Sequence, residues 1–208
     1  MTEAEPTSRD AVERWIAAHT VDPFADVREA SVAHRVEHGW GCTVYPTSSG
    51  PVLAVLAAAV GARRILEIGT GLGYSALCLS SAGAHVHTLE RDAVHAELAR
   101  QHVARHGAAG LVEIQVGTAL ELLPALEGPY DLLFCDADPK GYPALLDHVV
   151  RLLRPHGVAV SANLFLGQFD ASIPHIEHLA TYRNRLLEDD RMRTAFVPGG
   201  LAISVRSG

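Results

Sequence analysis

The 208-residue chain has only three cysteines, and none stands in a CxxC spacing, which argues against both a disulfide scaffold and a paired-thiolate metal motif. Cys78 and Cys135 lie inside apolar segments, so the cysteines are expected to be small buried hydrophobes in a reducing compartment. Positive charge is also scarce. A formal net charge of −7 speaks against general attraction to the phosphate backbone of a nucleic acid. The longest apolar run, residues 51–62, is rich in alanine and too short for a hydrocarbon layer about 30 Å thick, which predicts a buried helix and no membrane. Residues 1–10 are polar and acidic, without the basic start and apolar middle of a secretory signal, so a cytoplasmic location is expected.

What is present suits one enzyme-sized core, since 48% of the residues are apolar. A single domain over 1–208 is expected, with residues 1–45 as an N-terminal helical extension or lid. Val12, Trp15 and Ile16, then Val27, Ala30, Val32 and Val36, fall at helical spacing on either side of Asp22-Pro23, predicting one or two helices. From Gly50-Pro51 onward the pattern alternates. Strands are expected at 64–68, 85–89, 112–116, 130–135 and 157–162, and helices at 75–81, 92–106, 120–126, 143–153 and 173–188. Leu132-Leu133-Phe134-Cys135 and Val158-Ala159-Val160 are nearly continuous in apolar residues, the mark of a parallel sheet covered on both faces. Residues 193–197 and 201–205, joined by Pro198-Gly199-Gly200, are too close for a parallel crossover and predict an antiparallel pair. The fold class is therefore α/β: a doubly wound, Rossmann-like mixed sheet of seven strands.

The stretch LEIGTGLGYSAL, residues 66–77, runs from a strand through glycines 69, 71 and 73 into a helix. Such a bend lets backbone approach a ligand where a Cβ would obstruct it, beyond the carboxyl ends of the strands. A dinucleotide fingerprint starting at Gly69 would need glycine at 74, and this chain has Tyr74. Glu90, 21 positions after Gly69 (90 − 69), ends the second strand, where a carboxylate can accept hydrogen bonds from both hydroxyls of a ribose. At the end of the fourth strand stands Phe134-Cys135-Asp136-Ala137-Asp138-Pro139-Lys140-Gly141-Tyr142. Its two carboxylates could serve a cationic cofactor, a metal or an amino group.

These blocks, with Gly117-Thr118-Ala119, the 152–157 approach to the fifth strand and the C-terminal PGGLAISV, resemble the small class I O-methyltransferases related to catechol and caffeoyl-coenzyme A O-methyltransferases. The resemblance covers about residues 40–208. It implies methyl transfer from S-adenosylmethionine to a small hydroxylated or aromatic acceptor, and a homodimer. It places Glu67, Gly69, Thr70, Gly71, Gly73 and Ser75 around the methionine part of that cofactor, Glu90 at its ribose, Ala119 at its adenine, and Asp136 between cofactor and acceptor.

Two departures bear on mechanism. Metal-using members read DADKxxY at the fourth strand and Asp-Asn at the end of the fifth; here Pro139 displaces Lys140 by one, and the fifth strand ends Ser161-Ala162-Asn163. A hard cation seeks about six oxygen ligands, so the missing carboxylate predicts metal independence. Asp136, Asp138 and Lys140 are the candidate catalytic residues, with His38 a further candidate base. Trp40, Tyr45, Tyr142, Phe165 and Phe169 are candidates for an acceptor pocket or for the core. The 12 histidines form no convincing metal motif: the i, i+4 pairs His34/His38 and His102/His106 and the strand pair His85/His87 read as surface residues. Two other functions fit the glycine loop: an NAD-dependent oxidoreductase, disfavoured by Tyr74, and a cofactor-binding module without activity.

Overall fold

The computed structural model describes residues 8–39, 42–45, 47–166, 174–198 and 200–208. Three helices come first: α1 (Arg9–His19), α2 (Ala25–His38) and α3 (Gly50–Ala59). Then strands and helices alternate through β1 (Arg64–Ile68), α4 (Tyr74–Ser80), β2 (His85–Glu90), α5 (Ala93–Arg105), β3 (Val112–Val116), α6 (Ala119–Leu122), β4 (Tyr130–Cys135), α7 (Tyr142–Leu152), β5 (Leu153–Ser161) and α8 (Glu177–Glu188). β6 (Met192–Val197) and β7 (Leu201–Arg206) close the chain. The sheet order is β3-β2-β1-β4-β5-β7-β6. β1 to β5 are mutually parallel where they pair, and β7 runs antiparallel to both β5 and β6. The expected fold class is the one observed.

Alternation along the strands supplies two cores. Leu132 and Phe134 of β4 pack with Leu53 of α3 and Leu77 of α4, whereas Leu133 and Cys135 pack with Leu146 of α7 and Leu179 and Tyr182 of α8. Because both faces of the central strands are covered, successive residues of β4 are buried on opposite sides, which is why Leu132-Leu133-Phe134-Cys135 reads as a continuous apolar run. Removing any one such side chain would cost about 2–5 kcal/mol.

Several local expectations are corrected. α3 is half buried, not fully: Leu53 and Ala57 face the core while Val52 and Val55 face outward. The 120–126 helix breaks in two, because Pro124 cannot continue the α-helical ladder and residues Leu123–Ala125 tighten into a 3-10 turn. β5 begins at Leu153, which pairs with Tyr130 across an irregularity before the regular register starts at Leu132 and Val158. His102 is buried, not solvated, and its Nδ1 lies 2.9 Å from the carbonyl of Leu72.

The N-terminal segment is fastened at Asp22. Its Oδ2 accepts from the Tyr74 hydroxyl at 2.8 Å and from Arg28 Nε at 2.9 Å, and its Oδ1 accepts from the Phe24 amide at 3.2 Å. His106 Nε2 and Asp26 Oδ2, 3.0 Å apart, add a second tie from α5 to α2. Tyr142, the first residue of α7, is fully buried in the second core. Its hydroxyl donates towards the carbonyls of Cys135 at 3.0 Å and Ala162 at 2.7 Å, linking the ends of β4 and β5.

Tyr142→Phe should lower stability by about 1–2 kcal/mol, because two shielded carbonyls lose a donor without loss of apolar volume. Urea unfolding monitored by circular dichroism measures this; an unchanged midpoint would show the tie to be dispensable.

Candidate active site

A cavity of about 770 Å³ opens at the carboxyl ends of β1, β2, β4 and β5, where the strand order reverses between β1 and β4. Gly69, Thr70, Gly71, Ser75, Glu90, Ala119, Asp136, Asp138 and Lys140 all line it. Glycine is required at its floor. Gly69 has φ +97°, and a Cβ there would lie 2.2 Å from the carbonyl oxygen of Asp136, so the ends of β1 and β4 approach in a way no side chain permits. Gly71, with φ +53°, donates its N–H to Glu90 Oε2 at 2.8 Å, and Glu90 Oε1 accepts from the Asp92 amide at 3.0 Å. The acidic end of β2 is thus held against the bend. Gly73 lies behind the cavity wall: a Cβ there would meet Ala99 of α5 at 3.3 Å, so its part is to let helix and loop close up.

Glu67 lies beneath the floor and is fully buried. Thr88 Oγ1 donates to its Oε2 at 2.5 Å and stands 2.6 Å from Thr70 Oγ1, while Glu67 Oε1 has no hydrogen-bond partner. Burial pushes its carboxyl up to about 8 against the pull of the Ser75 and Thr88 hydroxyls, and the charges of Asp136 and Glu90 push the same way. An empty site therefore holds a proton on Glu67 at neutral pH. A cationic ligand in the cavity would favour its loss, so the buried acid and the glycine cradle suit a positively charged molecule.

At the other wall, burial raises Asp136 to about 6, opposed by the side-chain amide of Asn163, whose Nδ2 donates to Asp136 Oδ1 at 2.5 Å. Burial would also raise Asp138, but the Lys140 amide at 3.0 Å and Arg91 at 2.9 Å overcome it and hold that carboxyl below its ordinary range. Both oxygens of Asp138 are thus engaged. Lys140, the only lysine of the chain, is exposed at the rim. Ala162, buried, occupies the position where a second carboxylate would complete a cation cage with Asp136 and Asn163. The residues at this corner do not fit a hard divalent ion.

The aromatic candidates divide. Tyr45 lines the cavity, Tyr142 is core, and Phe165 packs edge-on against Phe196 beneath Arg183. Trp40 and Phe169 lie outside the described residues. His38 lines a smaller adjoining cavity instead. Lining residues not singled out from the sequence include Arg91, Leu166, Pro174 and His175. Arg91 follows Glu90 directly, so its place at the strand tip was available from sequence; the others depend on how the loops fold back.

A family model described as O-methyltransferase matches residues 18–206. A catechol O-methyltransferase of Mycobacterium tuberculosis (strain H37Rv) is 43% identical over 122 residues, 57% of this chain and 56% of that protein, so the chain spans little more than half of that relative in the alignment. The crystal structure of cofactor-bound Rv0187 from MTB is 30% identical, covers 100% of both chains and superposes with a TM-score of 0.80. The O-methyltransferase TomG of Streptomyces achromogenes, in complex with SAM, is 29% identical over 95% of this chain and 96% of that one, with a TM-score of 0.79.

The buried acid has a pH signature. Between about 4.5, where the Glu67 carboxyl titrates in the unfolded chain, and about 8 in the folded one, the native state keeps a proton that the unfolded state has released. Its contribution is therefore full at the acid end and is lost as pH rises through that window. Glu67→Gln should flatten the decline of the ligand-free thermal midpoint between about pH 5 and about pH 8. Parallel curves for the two proteins would show that Glu67 is ionised throughout.

Proposed function

The chain belongs to the O-methyltransferase family, and on that premise we propose that it transfers the methyl group of S-adenosylmethionine to a hydroxyl of a small hydroxylated or aromatic metabolite. The observation that carries this reading is the clasp between the Gly71 N–H and the Glu90 carboxylate at the mouth of a glycine-floored cavity. When bound, the cofactor supplies a methyl carbon made electrophilic by its sulfonium. The chain's own residues hold, orient and dehydrate. Glu90 accepts from the ribose, Ala119 flanks the adenine, and Thr70, Ser75 and the bend at residues 69–71 surround the aminoacyl end above Glu67. Gly73 acts through the shape of the turn.

Displacement at a methyl carbon requires the nucleophile in line with the leaving sulfur, so positioning supplies much of the rate. We assign the proton of the acceptor hydroxyl to Asp136, because a carboxyl raised to about 6 is basic enough to take it and still ionised at neutral pH. Asp138 braces the wall through Arg91, and Lys140 guides the acceptor at the rim. With Ala162 in place of a carboxylate, the reaction is proposed to proceed without a divalent ion. Tyr74, whose ring fills the space beside Gly50 and whose hydroxyl holds Asp22, stands against a dinucleotide at the bend.

The apolar face of α1 stays uncovered, with Val12, Trp15 and Ile16 39%, 44% and 51% exposed, and Val52 and Val55 of α3 are bare as well. A homodimer that covers such surface is proposed; light scattering on the purified protein should give twice the chain mass, and the mass of one chain would refute it. Among the described residues no helix is long and apolar enough to cross a membrane. The three cysteines are free and buried, which favours a cytoplasmic location that cell fractionation can check.

Calorimetry with S-adenosylhomocysteine should show one site per chain, weakened at least about tenfold in Glu90→Ala, with no heat from NAD. Failure of wild type to bind it at millimolar concentration would sink the reading. Over a panel of catechol-like acceptors, without added magnesium, turnover should rise with pH through about 6 and plateau. Asp136→Asn should lower it at least about a hundredfold and Lys140→Met by no more than about threefold. A specific magnesium requirement would return a metal to the mechanism, and binding without any product would mark an inactive module.

A further inference from the structure

Sixty-one positions separate His34 from His95, yet the fold sets them side by side with Cys42. α2 supplies His34, the segment that follows it supplies Cys42, and the first turn of α5, capped by Asp92, supplies His95. One potential ligand atom from each of the three residues lies within 4.8 Å of the other two. His34 Nε2 stands 3.2 Å from His95 Nε2. Two nitrogens bound at about 2.1 Å to a tetrahedral ion stand about 3.4 Å apart, so the imidazoles already have the separation of co-ligands.

A hydrogen bond between the rings would account for that pair alone. It leaves unexplained the convergence of a buried thiol on two imidazoles, one of which, His95, is only 7% exposed. The supporting contacts also suit a metal. Val44 donates its amide to Cys42 Sγ at 3.4 Å, the kind of contact that steadies a bound thiolate, and the Arg35 guanidinium holds the Cys42 carbonyl.

We propose that His34, Cys42 and His95 bind one zinc ion, with a fourth position open to the adjoining cavity of about 600 Å³. Two imidazoles and a thiolate select zinc over the hard magnesium ion. Cys42 gives its thiol proton to solvent as the Zn–S bond forms, and no redox change occurs. Cys42, Thr43, Arg91 and Thr118 line both this cavity and the larger one, so the ion pins the segment after α2 to α5 along the shared wall. This is a structural clamp, separate from the Asp136 corner, and it does not depend on the methyl-transfer reading.

Cobalt(II) reports it. Untagged protein, stripped with chelator and dialysed under reducing conditions, should take up one equivalent of Co²⁺ with a thiolate-to-cobalt charge-transfer band in the near ultraviolet. One equivalent of Zn²⁺ should erase that band, and excess Mg²⁺ should leave it. Cys42→Ser should abolish the band and weaken Zn²⁺ binding more than about a hundredfold, and His95→Gln should do likewise. His175→Ala, in the exposed cluster with Glu177 and His178, should retain both signals. Circular dichroism distinguishes a lost ligand from a lost fold, and the near-isosteric serine variant carries the test if His95→Gln unfolds. Absence of the band in wild type, its survival in Cys42→Ser, or equal loss in His175→Ala would overturn the proposal.

Discussion

The approach of two backbones at Gly69 governs the site. With any Cβ there, the carbonyl of Asp136 would be struck at 2.2 Å, and β1 and β4 could not end side by side. That juncture brings the two functional halves together: the bend and Glu90 on one side, Asp136 and Asn163 on the other. Hydrogen bonds fix the register on both sides of it, from the Gly69 amide to Leu89 and from the Asp136 amide to Ile68. The tightness of the crevice is thus a property of paired strands, which are far stiffer than loops, and catalytic geometry set by strand ends inherits that stiffness.

Tyr74 carries a second consequence of the same bend. At the position where a dinucleotide site keeps its third glycine, this chain places a tyrosine that lines the cavity and whose hydroxyl docks the N-terminal segment through Asp22. The residue that disfavours one cofactor thereby fastens the wall that shapes the pocket for another. Asp22, just ahead of α2, is tied to α4 through this contact, and Asp26 of α2 to the end of α5 through His106, so the N-terminal segment that lines the cavity at Ser31 and Tyr45 is anchored to the sheet's helices.

The sheet was legible because its signals are local: short apolar runs such as Leu132-Leu133-Phe134-Cys135 and Val158-Ala159-Val160, the glycines of the bend, and Asp92 and Pro51 at helix starts each announce themselves within a few positions. The loops that meet at the strand ends were harder to read, since Leu166, Pro174 and His175 come into the cavity by returns that no periodicity encodes. α3 misled because alanine and valine look alike on a hydropathy scan whether they face core or solvent; only packing against Leu77 and Cys78 decides which stripe is covered. The histidines show the limit most plainly. His34 and His38 at i, i+4 looked like a surface pair, because the ring that meets His34 sits on another helix 61 positions on. Spacing detects ligands on one element and is blind to those assembled from three.

Charge connects the cavity's parts. Burial raises the cost of ionising both Glu67 and Asp136, and the charges of Asp136 and Glu90 add to it at Glu67. A positive ligand in the cavity relieves that cost. A sulfonium bearing an ammonium group offers two charges; the product of methyl transfer, a neutral thioether, keeps only one. The acids therefore favour the substrate form over the product form, which aids entry and release. The same preference opposes the chemical step, because the positive charge that the acids stabilise fades as the methyl leaves. The proposed proton capture by Asp136 would offset this: on accepting the acceptor's proton, one negative charge would disappear from the cluster as one positive charge disappears from the cofactor. The site's charge balance is then preserved across the reaction, and that is the physical reason to place the base among the acids and not on the exposed rim.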